Sequence, residues 1–175
     1  MHSMESINLA CAPQDGISSH MAEYLEIRIL LPADKTIIMD FAKARLAVEV
    51  PDPVEREMQS WSARWRAEAL DHYLPQGWSF GVFAENGEMQ GYILGQPYLF
   101  FRGLTQTLWI EHVDFTAPQV AHQLLDTAHR WARDKHLQCV LVENNPVLQP
   151  LMNDWKQAHP IGAEIMEIKS SRFER

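Results

Sequence analysis

The chain has 175 residues, 46% of them hydrophobic and 22% charged, with a formal net charge of -8. That length and composition fit one globular domain with a substantial core. The acid excess, with Lys and Arg scattered and never in a run, argues against a nucleic-acid partner, which needs a concentrated basic face.

Two cysteines, Cys11 and Cys139, lie far apart and form neither a disulfide framework nor a metal-ligand spacing. Cys139 sits in the apolar run "LQCVLVE" and reads as a buried thiol. No stretch reaches the roughly 18 apolar residues of a membrane span, so no membrane partner is expected. The N-terminus lacks a basic start followed by an apolar run, so no signal peptide is expected and the cytoplasm is the default location.

Residues 1–22, polar and broken by Pro13 and Gly16, read as a flexible arm, and 23–175 as a single domain. "EYLEIRILL" alternates with period two, a strand ended by Pro32. "ADKTIIMDFAKARLA" has helical spacing. From Pro53 a longer helix is expected, with Val54, Met58, Trp61 and Trp65 on one face, Asp52 as N-cap and Pro53 in the first helical position. "WSFGVFA" and "EMQGYILG" flank Glu85-Asn86-Gly87, a hairpin signal. "QPYLFFRGLTQ" reads as a second connection, with "PYLFF" either continuing a strand or forming a dimer surface. "TLWIEHVDF" is a third strand, completing an antiparallel meander.

"HVDFTAPQVAHQLL" is a strand that runs into a helix with almost nothing between. Ala121, Leu124, Leu125, Ala128 and Trp131 form the stripe of that helix. "LQCVLVE" follows as a strand buried on both faces, parallel to its predecessor through the helix. "NPVLQPLMNDWKQA" is a short helix distorted by Pro146 and Pro150. "IGAEIMEIKS" is a last strand. The expected fold is α/β: a mixed sheet, an antiparallel meander followed by a parallel β-α-β crossover, with helices on both faces.

This order, with "GYILG" opening a hairpin strand and "TLWIEHVDF" ahead of a helix, resembles the GNAT superfamily of N-acetyltransferases over roughly residues 24 to 169. The resemblance implies acetyl-CoA or another acyl-CoA as cofactor and a small-molecule or peptide amine as acceptor. It implies backbone groups of Val113 and Phe115 for the pantetheine, and N–H groups of Gln119, Val120 and Ala121 for the pyrophosphate. Asn145 matches the family's asparagine on the cofactor arm. The family's pyrophosphate loop reads Gln/Arg, two residues, Gly, one residue, Gly/Ala. Across Thr116 to Ala121 only Ala121 fits. The family's tyrosine acid would fall at Met152, and no tyrosine occurs after Tyr98.

The same letters carry a second meaning. Thr116 and Gln119 stand in the T-x-x-Q relation of a capping box, which would use the donors a pyrophosphate needs. Both readings stand at this point.

Acyl transfer to an amine needs a proton acceptor and a polarised carbonyl. Strict alternation in "WIEHVDF" puts Trp109, Glu111 and Val113 on one face, and Ile110, His112 and Asp114 on the other. Glu111 is the first candidate base and His112 the second; the alternative is a solvated glutamate and a satisfied core histidine. Asn145 doubles as a helix cap before Pro146. His122 and His129, two turns apart, lack the spacing for one metal ion and read as a solvated face. Trp61 and Trp65 read as core, or as a lid on an apolar acceptor pocket.

The leading expectation is an acyl-CoA-dependent N-acyltransferase acting on an amine, with a homodimer possible. The rival is a non-catalytic GNAT-fold binding or dimerisation module whose cofactor site is capped shut. A small-ligand sensor using the aromatic helices is the third. An open cleft between the two parallel strands favours the enzyme; a Thr116–Gln119 box filling it favours the module.

Overall fold

A computed structural model describes residues 25–101, 103–153 and 155–170. The arm expected over residues 1–22 lies outside them. In chain order the elements are β1 (Leu25–Ile29), α1 (Lys35–Glu49), α2 (Pro53–Trp61), α3 (Ala67–Tyr73), β2 (Phe80–Ala84), β3 (Met89–Phe101), β4 (Leu104–Phe115), α4 (Pro118–Asp134), β5 (Cys139–Glu143), α5 (Gln149–Met152), β6 (Ala158–Ile161) and β7 (Ile165–Lys169). The seven strands form one sheet in the order β1-β2-β3-β4-β5-β7-β6. Neighbours are antiparallel except β4 and β5, which are parallel. The expected mixed sheet is the one that forms.

Each face carries its own core. On one, α4 buries Val120, Leu124, Leu125 and Ala128 against Val82, Ile93, Leu108, Ile110 and Val140. A fully buried leucine contributes about 1.5–3 kcal/mol, so this stripe fixes the helix to the sheet. On the other, α1 and α3 pack Ile38, Ala42, Leu70 and Tyr73 against Phe83, Tyr92 and Leu94. Cys139 is buried, and burial together with nearby Glu167 pushes its thiol pKa up to about 12. It is a core thiol, as its apolar run implies.

Three expectations about the elements need correction. The long helix from Pro53 is two. Asp52 caps α2, accepting from the N–H groups of Val54 and Glu55. Ser62 then ends α2: its N–H donates to the Gln59 and Ser60 carbonyls. The turn carries Trp65 into the core at 8% exposure and leaves Trp61 on the surface at 68%. Burying one indole outweighs continuing the periodic helix, so the two tryptophans do not share a face.

"QPYLFFRGLTQ" is mostly strand and not a connection, with "PYLFF" continuing β3, one of its two readings. β3 runs on to Phe101, with Pro97 opposite Leu108. β2 reaches only to Ile93, so Pro97 meets no β2 donor or acceptor and is tolerated there. Leu99 and Phe100 are exposed near the tip. The last strand is a hairpin, β6 and β7, turned at Gly162 with φ +69°. Pro160 hid β6, and its place on the sheet edge makes the missing N–H harmless.

Candidate active site

The site begins where a ladder stops. β4 and β5 pair from Thr107↔Cys139 to Ile110↔Val142 and no further. β4 continues to Phe115, still paired with β3, while β5 ends at Glu143. The two strands therefore part into a V, and Glu111 and Glu143 are the first residues past its apex. A cleft of about 290 Å³ occupies this region, walled by α1 (Arg45, Leu46), by Glu111 to Phe115 of β4, and by Glu143 and Asn145 after β5.

At the apex β4 is bulged. Leu94 pairs with His112 but Gly95 pairs with Ile110, so Glu111 is an extra residue in the ladder. The bulge overturns the simple alternation. Ile110, Val113 and Phe115 pack on the α4 face. His112 and Asp114 face α1 and α3: His112 lies on Tyr92 and Asp114 pairs with Arg45. Gly95, opposite the bulge, also lets the chain before β2 approach: a Cβ there would sit 2.7 Å from the Trp78 carbonyl oxygen.

Donors converge on Glu111. Trp109 Nε1 donates to Oε2 at 2.7 Å, and Arg64 Nε lies 3.5 Å from Oε1. The Tyr73 hydroxyl from α3 lies near the same carboxylate and accepts from Gln96 Nε2 at 3.5 Å; burial, then the Glu111 charge, pushes its pKa up to about 12. Arg64 Nη1 also donates to the Glu111 carbonyl at 2.8 Å and to Glu143 Oε2 at 2.6 Å. Arg64, Tyr73 and Glu143 were not foreseen from the sequence. Trp65 was the only hint, since its burial turns the adjacent Arg64 toward the strands. Tyr73 continues the buried stripe of Leu70, yet its contact with Glu111 depends on how α3 packs across the sheet.

His112 lies beside this network. Its Nε2 is buried without a hydrogen-bond partner among the described residues. Burial, reinforced by the Arg64 charge, lowers its pKa to about 4, so it is neutral at physiological pH. The Tyr92 hydroxyl is buried and likewise unpartnered. Asp114, raised above the ordinary carboxylate value by burial, is held against that effect by Arg45.

The start of α4 does not form the capping box. Thr116 N–H and Oγ1 both donate to the Gln90 carbonyl, at 2.9 and 3.0 Å, and Ala117 is the N-cap with no side-chain bond. Gln90 takes the threonine because it is the extra residue of a second bulge, between β2 and β3. Of the three N–H groups expected to face a pyrophosphate, Val120 and Ala121 already donate to the Ala117 carbonyl. Gln119 N–H has no partner among the described residues, and the first turn holds no acidic residue to compete for an anion. Asn145 acts as a cap: its Oδ1 accepts from the N–H groups of Val147 and Leu148. It also lines the cleft.

His122 is exposed, as expected, and accepts from Trp155 Nε1; His129 is instead buried, with Nε2 at 3.1 Å from the Lys169 carbonyl oxygen. No group of side chains able to hold a metal ion occurs among the described residues. Among them, no helix is long and apolar enough to cross a membrane.

No protein-family model and no curated protein matches the sequence. Solved structures do. PaiA N-acetyltransferase from Thermoplasma acidophilum, in complex with coenzyme A, matches with TM-score 0.61 at 16% identity, over 83% of this chain and 99% of that one. A GNAT-family acetyltransferase from Listeria monocytogenes matches with TM-score 0.60 at 11% identity, over 83% and 94%. A polyamine N-acetyltransferase from Drosophila melanogaster matches with TM-score 0.55 at 13% identity, over 82% and 97%. Meander, bulged β4, parting β5 and intervening α4 together give this chain the GNAT N-acetyltransferase fold.

Proposed function

We propose that the protein is an acyl-CoA-dependent N-acyltransferase that passes an acetyl group directly to an amine. The observation that carries this reading is the parting of β4 and β5 beyond Ile110 and Val142, with an unpartnered Gln119 N–H at the start of α4. The Thr116–Gln119 box that would favour the non-catalytic module does not form, since Thr116 is committed to Gln90. Likeness of fold to acetyltransferases adds support by analogy.

The residues fit an extended thioester ligand. Acetyl-CoA, when bound, supplies the acyl group on a thiol that can leave as thiolate. The β5-facing edge of β4 around Val113 and Phe115 offers backbone groups for amides. Gln119, with the first turn of α4 through Val120 and Ala121, offers a positive helix end to the phosphates. Asn145 offers its amide N–H groups, since only its oxygen is used in the cap. Glu111 takes the proton of the attacking amine, directly or through water, as the new N–C bond forms and the C–S bond breaks. His112, neutral and with Nε2 free, is the second acceptor. The Trp109 indole positions Glu111.

The acceptor we favour is a cationic amine. The net charge of -8 steers cations inward, and two glutamates stand at the apex of the cleft. The Drosophila neighbour is named as a polyamine N-acetyltransferase. The test is thiol release from acetyl-CoA in the presence of polyamines, agmatine, aminoglycosides, lysine peptides and neutral amines. Amine-dependent release, strongest with cations, supports the reading. Release with none of them, alongside proven folding, overturns the transferase.

A further inference from the structure

The apex of the V is not open: Arg64 crosses it. Its Nη1 bonds the Glu111 carbonyl oxygen on β4 at 2.8 Å and Glu143 Oε2 on β5 at 2.6 Å. These two residues would be the next ladder pair had the strands not parted. The guanidinium thus supplies the donor that the missing ladder withholds from the Glu111 carbonyl, and it sits where a ligand threading the V must pass.

We propose that Arg64 is an internal strap that holds the cleft closed at its apex and must be displaced when an extended amide-bearing ligand enters. The inference rests on the acyl-CoA reading above. Two features make the strap releasable. The side chains of Arg64 and Glu143 are 41% and 44% exposed, so their ion pair is solvated and weak. Arg64 also hangs from the turn between α2 and α3, anchored by the buried Trp65, so the long side chain can swing without moving a helix. A ligand that brings its own amide donor to the Glu111 carbonyl replaces the bond that Arg64 gives up, and Glu111 and Glu143 are then freed to face the cleft.

The test is calorimetric titration of coenzyme A into the wild-type protein, R64Q and E143Q, each checked for folding by thermal melting. Simple electrostatics moves the two variants oppositely, because coenzyme A is an anion: losing Arg64 weakens binding and losing Glu143 tightens it. The strap moves both the same way, tightening coenzyme A by up to about fivefold, the most that a solvated ion pair is worth. Tightening in both variants, or binding that appears only in them, supports the strap. Wild-type binding with opposite or absent changes overturns the strap and leaves the acyl-CoA reading intact. No binding by any of the three overturns both. If R64Q does not fold, R64A, which also removes both bonds, is titrated in its place and must tighten too.

Discussion

Gly91 on β3 lies against Val120 in the first turn of α4: a Cβ on Gly91 would stand 2.8 Å from Val120 Cγ1 and 2.8 Å from the Asp114 carbonyl oxygen. The glycine absent from the strand–helix junction is thus present one strand away, where it lets the start of α4 settle onto the sheet. Gly91→Ala is expected to cost about 1–3 kcal/mol by overpacking. It should also loosen coenzyme A binding, because the helix N-terminus shifts. Urea denaturation and titration calorimetry check both; an unchanged midpoint would show that the backbone gives way freely.

Asp34 is buried and takes both Arg28 nitrogens at 2.8 Å as well as the Leu31 N–H. The Arg28 hydrogen bond, more than offsetting burial, holds its pKa below the ordinary value. A depressed carboxylate stabilises the fold fully above its unfolded pKa of about 3.9, and that stability is lost as pH falls through the folded value. Asp34→Asn should lose about 1–3 kcal/mol at pH 7. The gap from wild type should shrink once the pH drops below about 4. A gap that stays constant down to pH 2 would contradict the assignment.

His112 has the same sign at a higher pH. Its folded pKa of about 4 lies below the unfolded value, so the unfolded chain binds the extra proton first as pH falls. Stability should decline by about 1.4 kcal/mol per pH unit between roughly 6.5 and 4 on this account. NMR of the ring protons should show no titration between pH 8 and 5. A midpoint near 6.5 would mean that the ring is solvated.

Glu111→Gln keeps the size of the side chain and removes the proton acceptor. Turnover with a responsive amine should fall about 10²–10⁴-fold. Unchanged turnover and pH profile would remove Glu111 from the base role and leave His112 Nε2 as the free acceptor.

The order of strands and helices was legible because it rests on local patterns: period two in β1, the Asn86-Gly87 turn, the stripe of α4. Apolar "CVLVE" beside α4 sufficed to expect the parallel pair. What escaped depends on tertiary contact. The bulge at Glu111 reverses the faces of Val113 and Phe115 relative to Ile110, and no periodicity records an extra residue in a ladder. Arg64 and Tyr73 reach Glu111 only because α2 breaks at Ser62 and α3 packs across the sheet. Thr116 pointed equally to a local box, and lost it to Gln90 on a neighbouring strand.

The most direct measurement is titration of the wild-type protein with acetyl-CoA, with desulfo-CoA alongside. The account predicts saturable heat in the micromolar range, with Gln119→Pro weakening it by removing the unpartnered Gln119 N–H at the start of α4. No heat and no thermal shift at millimolar ligand, in the wild-type protein and in R64Q and E143Q alike, would contradict it and make the strand–helix junction purely structural.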